Sequence, residues 1–551
     1  MTHLTRSHWL PDRSSEIVEL ATGGALRAAA AAAPDRTALV EVVPAGLASP
    51  TGAAATDRRW TYAELLVDAE ACGRWLSTRF RPGEHICLWA PNVAEWIIVQ
   101  YGAALAGLVL VTANPALRTA ELRHVLRQSR AVGLLFLPSF RGYDMAGAAR
   151  EVADDVRELV TLTGLVDTIA AYRTATGRLP DVAPGSPAQI QFTSGTTGKP
   201  KGAILAHRGL VTNAAFMAAR TGQRGDVVVT PMPLFHTAGS VLSVLGAASA
   251  RSTLVLPLLF DPALMLDAIE REGGSVTSGV PTMIAAMLEE QRARPRDLSS
   301  LRVMSSGGAP VPAELAERVE AGFGCPLVTV YGQTELSPII CATGPADSAE
   351  DRASTSGHPL PQVEVAIVDP RSGQPVPVGA EGEIRARGYQ LMLGYIGDTA
   401  ATEATIDTDG WLRTGDVGRM DETGRLCITG RLGDMIIRGG ENIYPAEIEA
   451  AMLRHPAIAD VAIFGLPDAH WGEIVAAAVR FDPAKAALDE DALRAHCRAL
   501  LAPHKTPATW FSVEAFPLTA SGKVQKFALR ELALAGALAR AFPDARRAAG
   551  G

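Results

Sequence analysis

Ten consecutive residues combine glycines, hydroxyl groups and two lysines in the order Thr-Ser-Gly-Thr-Thr-Gly-Lys-Pro-Lys-Gly, from Thr193 to Gly202. Glycines let the backbone curl so that several N–H groups point inward, hydroxyls add donors, and Lys199 and Lys201 offset the charge of a polyphosphate. The run is not a P-loop, because Pro200 stands where that motif requires Ser or Thr after Gly-Lys. The composition predicts a phosphate-binding loop, against the alternative of a surface turn without a ligand.

The run resembles the signature loop of the adenylate-forming superfamily, which comprises acyl-CoA synthetases, adenylation domains and beetle luciferases. Further segments similar to motifs of that superfamily follow in the same order and extend the resemblance from Trp60 to about Lys526. The resemblance is to the acyl-CoA synthetase branch. It implies an acid–thiol ligase that uses ATP and Mg²⁺ to convert a carboxylic acid to its acyl-adenylate, and then transfers the acyl group to coenzyme A.

The resemblance also implies which residues bind ATP or AMP. Tyr331 flanks adenine, Thr334 bonds phosphate, and Glu335 holds Mg²⁺, a hard cation that favours a carboxylate together with phosphate oxygens. Asp416 accepts both ribose hydroxyls, Ile428 packs on adenine and Arg431 reaches ribose or phosphate, although each of the last two residues could also be structural. The full expected set is Thr193, Ser194, Gly195, Thr196, Thr197, Gly198, Lys199, Gly308, Ala309, Pro310, Tyr331, Gly332, Thr334, Asp416, Ile428, Arg431 and Lys523.

The catalytic lysine is expected near the carboxyl end of the sequence. Pro517 to Lys526 is similar to the last motif of the superfamily, whose lysine reaches the carboxylate and the α-phosphate during adenylation. A flexible ammonium suits that task, because negative charge gathers where the carboxylate attacks and pyrophosphate leaves. By this resemblance Lys523 is catalytic, together with Thr334, Glu335 and His236.

The acyl group is expected beside His236, in a segment where relatives place a residue between the substrate carboxylate and the acyl tunnel. Relatives that act on acetate or propionate carry Trp where this chain has Gly332, so the pocket is predicted to accept a longer or wider acid. The small, apolar segments that should line it suit a hydrophobic acid. The expected acyl residues are His236, Gly239, Gly279, Gly307 and Gly332.

A mobile C-terminal domain is expected after Arg431. The segment from Leu432 to Pro445 resembles the hinge and first element of the domain that rotates between the two half-reactions. Gly439 and Gly440 resemble the glycines beside the pantetheine tunnel of CoA. Relatives usually carry Asp or Lys at the hinge, whereas this chain has Gly433, which puts in doubt how firmly either pose is favoured.

The chain of 551 residues is too long for one hydrophobic core, since single cores stop growing at roughly 250–300 residues. Segments with helical spacing alternate with short apolar runs, which predicts an α/β fold. We expect a large N-terminal domain of α/β layers over residues 1–432, with a β-rich subdomain at about 360–432, and a small mobile α+β domain over 433–551. The predicted helices are Ile17–Ala33 and Thr61–Thr78, and the predicted strands include Ile86–Trp89, Gly133–Leu137, Thr253–Leu256, Glu364–Val368, Glu383–Arg387 and Leu426–Thr429.

Net charge, hydropathy and cysteine usage limit the possible binding partners and the cellular compartment. A formal charge of −8 with no block of basic residues argues against nucleic acid and against an anionic membrane surface. No stretch is long enough for an integral membrane span, and the first ten residues lack the apolar core of a secretory signal. Six scattered cysteines fit a reducing cytoplasm. The sequence leaves open whether the protein forms a homodimer.

Three alternatives remain beside CoA ligation. A ligase that loads a carrier protein shares the first half-reaction, and a luciferase-type oxidoreductase would oxidise the adenylate with O₂. The third is a catalytically silent nucleotide-binding protein. An α-amino acid is disfavoured as substrate, because no acidic residue lies between Pro231 and Ala250 to hold an ammonium group.

Overall fold

The structure is a computed structural model, and it describes residues 3–44, 46–53, 57–193, 200–309, 311–439, 441–483, 485, 488–518 and 524–542. By its internal contacts the chain divides into two compact units. The first comprises residues 1–366, 385–414 and 421–426, and the second comprises 367–384, 415–420 and 427–551. The expected single boundary at the hinge, Gly433, stays a prediction.

The first unit is built on two mixed sheets flanked by helices. One described sheet has seven strands, four of its pairings parallel, in the order Gly394–Tyr395, Lys201–Ala206, Pro187–Thr193, Val109–Ala113, His85–Trp89, Gly133–Phe136 and Glu158–Thr161. The other has nine, mainly parallel, in the order His358–Pro359, Ile339–Ala342, Leu327–Gly332, Val303–Gly307, Val276–Ser278, Val227–Val229, Thr253–Pro257, Thr37–Val42 and Arg59–Thr61. The predicted α/β architecture is confirmed.

Helices accompany these sheets, and most of them bury apolar residues, as Tyr62–Ser77 buries Leu65 and Leu76. The helix Tyr62–Ser77 begins at a capping box, in which Thr61 Oγ1 accepts from the N–H of Glu64 and the Glu64 carboxylate accepts from the N–H of Thr61. The other helices are Thr22–Ala32, Ala94–Leu105, Thr119–Ser129, Met145–Glu151, Leu165–Ala170, His207–Arg220, Gly246–Ala250, Pro262–Glu272, Pro281–Ala293, Ala313–Phe323, Ala349–Ser354 and Thr399–Thr405, with a π-helix at Ala238–Leu245.

Several strands lie between residues 360 and 432, where a β-rich subdomain is expected, and the subdomain itself stays a prediction. The segment carries the strands Val363–Val368, Gly382–Gly388, Gly394–Tyr395, Leu412–Met420 and Leu426–Arg431. The short strand His8–Trp9 pairs antiparallel with the first of these, with His8 opposite Ala366. Glycines with positive φ lie between several of these strands, namely Gly373, Gly379, Gly397, Gly410 and Gly424.

The second unit contains an α+β layer with its own core. Its sheet runs in the order Glu441–Ile443, Ile436–Arg438, Gly472–Phe481, Thr509–Ser512 and Ala539–Arg540, and the long strand Ile458–Asp468 pairs with Gly472–Phe481. The helices Pro445–Leu453, Glu490–Leu500 and Lys526–Leu534 accompany this sheet. Buried apolar residues of strands and helices form the core, among them Ile448, Ile463, Val479 and Leu493.

No helix among the described residues has the length and apolarity required to cross a membrane.

Candidate active site

Several expected ligand-binding residues of the first unit lie at or just after the ends of neighbouring strands at one edge of the nine-stranded sheet. Four neighbouring parallel strands end there, at Val229, Ser278, Gly307 and Gly332. Ligands of open α/β sheets bind outside the carboxyl ends of the strands. The segment with His236 follows the first of these strands, and Thr334 with Glu335 follows the last.

Glu335 lies in a short 3₁₀ turn, Thr334–Leu336, directly after the strand Leu327–Gly332. Its Oε1 atom accepts a hydrogen bond of 2.7 Å from the Tyr395 hydroxyl. The backbone also fixes the turn, because the N–H of Met392 donates to the Glu335 carbonyl oxygen at 2.9 Å. Thr334 and Tyr331 occupy the same half-buried stretch as Glu335.

Tyr395 is a candidate site residue that sequence reasoning missed. Burial first, and then the adjacent Glu335 carboxylate, raise the pKa of Tyr395 well above its ordinary value. The phenol therefore stays protonated and serves as a permanent donor. The Nζ atom of Lys201 lies 5.3 Å from the centre of the Tyr395 ring, which adds a cation–π contact. Tyrosine is common in β-strands, so its presence in a short strand does not indicate a site residue. Only its hydrogen bond to Glu335 in the structure indicates one.

A magnesium ion fits this carboxylate by its chemistry. Mg²⁺ usually takes one or two carboxylates and completes its shell with water and phosphate oxygens. A carboxylate has about four lone-pair positions, so the hydrogen bond from Tyr395 leaves Glu335 the capacity to bind a cation. The described residues contain no cluster of three or more His, Cys, Asp or Glu that could hold a metal ion.

The imidazole of His236 is fixed by the start of the π-helix Ala238–Leu245. The backbone N–H of Ala238 donates to Nδ1 of His236 at 3.2 Å. An atom that accepts a hydrogen bond carries a lone pair, so the neutral ring bears its proton on Nε2. The carbonyl oxygen of His236 accepts from the N–H groups of Gly239 and Ser240, each at 3.0 Å.

Three of the expected acyl-site glycines are required by close backbone approach. A Cβ atom on Gly332 would collide with the Pro338 carbonyl oxygen, and one on Gly307 with the carbonyl oxygen of Val330. One on Gly239 would meet Pro233 in the same way. Gly279 differs, since a Cβ there would meet only side chains, Ile284 Cγ1 at 3.3 Å and Met283 Cβ at 3.5 Å.

The close approach of the backbone changes the interpretation of Gly332. We expected its small size to keep the acyl pocket open, so that Gly332→Trp would fill the pocket and favour short acids. The backbone of Pro338 and Ile339 leaves no room even for a methyl group at this position. The role of Gly332 in acyl selection stays a prediction, but Gly332→Trp cannot test it.

The phosphate loop begins and ends on paired strands. Thr193 closes the strand Pro187–Thr193 and pairs with Lys201 of the antiparallel strand Lys201–Ala206. The Thr193 hydroxyl donates to the carbonyl oxygen of Lys201 at 3.4 Å. The expected phosphate-binding residues between them, Ser194, Gly195, Thr196, Thr197, Gly198 and Lys199, lie outside the described residues.

The second glycine-rich segment follows the strand Val303–Gly307. Gly308 has a φ of +77°, in the left-handed region that favours glycine, and both Gly308 and Ala309 are exposed. Pro310 lies outside the described residues. A turn that only glycine readily adopts, at the carboxyl end of a central strand, suits a close approach of backbone to ligand.

Asp416 and Arg431 form an ion pair within the second unit. Nε of Arg431 donates to Oδ1 of Asp416 at 2.6 Å, and the Asp416 side chain is nearly buried while that of Arg431 is exposed. Ile428, three residues before Arg431 on the strand Leu426–Arg431, is half-buried. The expected ribose carboxylate and its expected cationic neighbour are thus held together.

Gly439 has a φ of +60°, and its N–H donates to the Trp471 carbonyl oxygen at 2.8 Å. A Cβ atom there would also press on the Trp471 ring at 2.9 Å. The remaining expected residues of this unit, Gly440 and Lys523, lie outside the described residues. Of the described residues that flank Lys523, Gln525 Nε2 donates to the Leu518 carbonyl oxygen at 2.8 Å.

The fold and the carboxyl-edge site define an adenylate-forming type of enzyme, and comparison with known proteins agrees. Residues 26–396 match the family of AMP-binding enzymes, and residues 447–523 match the AMP-binding enzyme C-terminal domain. The chain belongs to this family and is a ligase of its acyl-CoA synthetase group.

Relatives in sequence and structure cover nearly the whole chain. It is 38% identical to the putative acyl-CoA synthetase YngI of Bacillus subtilis (strain 168), over 94% of this chain and 98% of that protein. It is 34% identical to the mitochondrial medium-chain acyl-CoA ligase ACSF2 of Homo sapiens, over 86% and 83%. Among solved structures, o-succinylbenzoate CoA synthetase of Bacillus subtilis, in complex with an acyl-adenylate, matches with a TM-score of 0.79 and 29% identity, over 93% and 98%.

The resemblance to acyl-CoA synthetases is therefore confirmed, as are the fold class and the assignment as a ligase. Enzymes of this family use a carboxylic acid, ATP and CoA. The individual site residues rest on the motif resemblance together with the geometry above, and their roles stay predictions.

Proposed function

We propose that this protein converts a medium, long or bulky hydrophobic carboxylic acid to its CoA thioester in two steps. In the first step a carboxylate oxygen attacks the α-phosphorus of ATP, which forms acyl-AMP and releases pyrophosphate. In the second step the CoA thiol loses its proton, its sulfur attacks the acyl carbonyl, and AMP leaves. The reaction is complete without an oxidant or reductant.

The observation that carries this proposal is the Glu335–Tyr395 pair at the carboxyl edge of the nine-stranded sheet. A Mg²⁺ ion on Glu335 would neutralise phosphate oxygens of ATP and thereby ease the departure of pyrophosphate. Thr334, in the same turn, would donate to phosphate. Tyr395 keeps the carboxylate in one orientation while the ion is bound.

The remaining nucleotide contacts follow the motif resemblance. Asp416 would accept the ribose hydroxyls, and Arg431 would keep that carboxylate oriented through their 2.6 Å hydrogen bond. Lys523 would meet the carboxylate and the α-phosphate during adenylation, and Gly439 and Gly440 would border the path of the CoA thiol. We place the hinge at Gly433, where a side chain would meet nothing within 4 Å.

A hydrophobic acid is supported by the segments around His236. The π-helix after it consists of small and apolar residues, and its first turn contains no charge. Pro281 opens a helix two residues after Gly279, and the residues that this helix buries, Ile284, Met287 and Leu288, are apolar. Curated relatives named medium-chain acyl-CoA ligases cover most of the chain, which favours a medium-chain acid over acetate.

A panel of acids tests the proposal. Acids from acetate to palmitate, with branched, cyclic and aromatic members, are scored for pyrophosphate release with and without CoA and Mg²⁺. We expect CoA-dependent turnover that is highest for hydrophobic acids above acetate in length. Preference for acetate would overturn the proposed class of acid. Turnover only with a carrier protein would show that the carrier, and not CoA, accepts the acyl group. Absence of pyrophosphate with every acid would overturn adenylation.

A further inference from the structure

The loop between the strand Val227–Val229 and the π-helix Ala238–Leu245 is irregular, and it carries His236. Backbone groups of such a loop need partners, because a buried unpaired N–H or C=O is costly. The described partners are largely side chains from another part of the first unit. They come from the seven-stranded sheet and the loop that follows one of its strands, whereas the His236 loop follows a strand of the nine-stranded sheet.

Asn92 binds this loop at three points. Its Nδ2 atom donates to the carbonyl oxygens of Pro231 and Met232, each at 3.2 Å. Its Oδ1 atom accepts from the N–H of Leu234 at 2.9 Å. Asn92 is 5% exposed, so water cannot readily replace these bonds. A single amide therefore fixes three of the five residues that precede His236.

Thr112 holds the next residue of the loop. Its hydroxyl donates to the carbonyl oxygen of Phe235, the residue directly before His236, at 2.8 Å. Thr112 is 3% exposed and stands on the strand Val109–Ala113 in the seven-stranded sheet. Valine has nearly the same shape without the hydroxyl, so the hydrogen bond can be removed with little change of volume.

Residues after His236 are anchored to the helix Ala94–Leu105 and to the seven-stranded sheet. Gln100 Nε2 donates to the Ser240 carbonyl oxygen at 2.9 Å, and Gln191 Nε2 donates to the Ser240 hydroxyl at 3.1 Å. Gln191 stands on the strand that ends at Thr193, where the phosphate loop begins. His236 is thus tied to polar side chains on both sides along the chain.

We propose that Asn92 and Thr112 are positioning residues for the adenylation step. They fix the backbone before His236, so that the Ala238 N–H stays on Nδ1 and the Nε2–H is presented to the carboxylic acid. Neither residue touches the reacting atoms. This inference rests on the proposed function, because it assigns His236 to the acid.

Loss of the hydrogen bonds from Asn92 or from Thr112 should impair turnover of the acid and leave the use of ATP nearly unchanged. Displacement of a substrate-orienting group by about 1 Å can reduce the rate by about 10²-fold. For Thr112→Val we expect kcat/KM for the acid to fall by about 10-fold or more, with KM for ATP nearly unchanged. Thr112→Ser keeps the hydroxyl and should restore most of the loss. For Asn92→Ala we expect a larger fall in kcat/KM for the acid, because this variant loses three hydrogen bonds to the loop.

The test is a double-mutant comparison with His236→Ala. If Thr112 acts through His236, Thr112→Val should reduce kcat/KM for the acid in the parent protein but not in the His236→Ala background. Thr253→Val is the matched control. The Thr253 hydroxyl donates an equivalent hydrogen bond to the Thr37 carbonyl oxygen at 2.7 Å, but in the nine-stranded sheet rather than beside the His236 loop. Equal losses in both backgrounds, or the same loss in the control, would overturn the proposal.

A spectroscopic readout separates this inference from the proposed function. Nitrogen-15 NMR of histidine-labelled protein, with His236→Ala to assign the signal, reports which ring nitrogen carries the proton. We expect the Nε2–H form in the parent protein and in Thr112→Ser, and a mixture of tautomers in Thr112→Val. An unchanged tautomer in Thr112→Val and Asn92→Ala would contradict positioning, whether or not an acid substrate has been found.

Discussion

The Tyr395 hydroxyl donates to Oε1 of Glu335 at 2.7 Å, so the carboxylate proposed to hold Mg²⁺ has a fixed partner sixty residues along the chain. Ligands of a metal are commonly oriented by such neighbouring hydrogen bonds, and their loss typically weakens metal binding by about 10–100-fold. The pair joins the turn after the strand Leu327–Gly332 to the edge strand Gly394–Tyr395 of the other sheet. The hydrogen bond thus holds the proposed Mg²⁺ ligand against the framework of the first unit.

Tyr395→Phe should therefore weaken the response to Mg²⁺. We expect the Mg²⁺ concentration for half-maximal pyrophosphate release to rise by about 10-fold, because Glu335 loses the bond that orients it. The phenyl ring remains available to Lys201. A Mg²⁺ titration at saturating ATP measures the change.

Tyr389→Phe is the matched control for that experiment. Tyr389 is half-buried, as Tyr395 is, but its hydroxyl accepts a hydrogen bond from Asn213 Nδ2 at 3.3 Å. Its Mg²⁺ response should equal that of the parent protein. Identical responses of Tyr395→Phe and Tyr389→Phe would separate Tyr395 from the metal.

Asp416→Asn tests the ribose assignment. An amide offers one acceptor oxygen where the carboxylate offers two, so it cannot accept both ribose hydroxyls and also the bond from Arg431. We expect KM for ATP to rise by about 10-fold, in keeping with the loss of a hydrogen bond to a charged group. The parent protein should discriminate against 2′-deoxy-ATP, and the variant should discriminate less. Equal discrimination by both proteins would exclude Asp416 from ribose.

Two glycine-to-alanine changes should separate structural from acyl-site glycines. Gly332→Ala drives a methyl group into the Pro338 carbonyl oxygen, so it should lower the thermal midpoint and reduce activity on every acid. Gly279→Ala meets only the side chains of Ile284 and Met283, which can shift. It should fold normally and reduce activity on bulky acids more than on short ones. Comparable selectivity profiles for both variants would remove Gly279 from the acyl pocket.

The sequence predicted the fold to a large extent, because its signals are local. The apolar run at Thr253–Leu256 became the strand Thr253–Pro257, and the motif Thr61 to Glu64 became a capping box. Turn residues and helical spacing likewise act over a few positions. Such features are readable before any tertiary contact is known.

Contacts between distant segments were not predictable in the same way. Nothing in the neighbourhood of Tyr395 indicates that its hydroxyl meets Glu335, and Asn92 lies far in sequence from the loop that it binds. Gly332 was interpreted through pocket size, whereas the structure assigns its lack of a side chain to the backbone of Pro338 and Ile339. These relationships arise only when strands from separate parts of the chain become neighbours.

His207 should make stability sensitive to acid. It is fully buried, its Nδ1 is 3.0 Å from Thr22 Oγ1, and burial lowers its pKa from 6.5 to about 4. The unfolded chain therefore binds a proton at higher pH than the folded protein does. The contribution of the neutral His207 to the free energy of unfolding is complete above about pH 6.5 and is lost as the pH falls toward 4.

At pH 5 this histidine should cost about 2 kcal/mol of unfolding free energy relative to pH 7, at about 1.4 kcal/mol for each pH unit below 6.5. Denaturant unfolding of the parent protein and of His207→Asn, which keeps a polar partner for Thr22, measures the difference between the two pH values. Because other groups titrate in both proteins, only the difference is assigned to His207. Parallel acid dependence of the two proteins would show that His207 does not carry it.

The two half-reactions should respond to different lesions. Lys523→Ala removes the charge that we propose meets the α-phosphate, so adenylate formation should fall by at least about 10²–10³-fold, as for loss of one transition-state donor. Supplied acyl-adenylate should still become thioester. Gly440→Leu should do the reverse, because a side chain beside the thiol path blocks CoA and leaves adenylation intact.

Gly440 is the better position for this test than its neighbour. Gly439 has a φ of +60° and would press a side chain on Trp471, so any substitution there would add backbone strain to the blocked path. Single-turnover assays should show a burst of pyrophosphate without thioester for Gly440→Leu, and thioester only from supplied adenylate for Lys523→Ala. If both variants lose both steps equally, with circular dichroism unchanged, then one fixed arrangement serves both half-reactions and no rotation at Gly433 is needed.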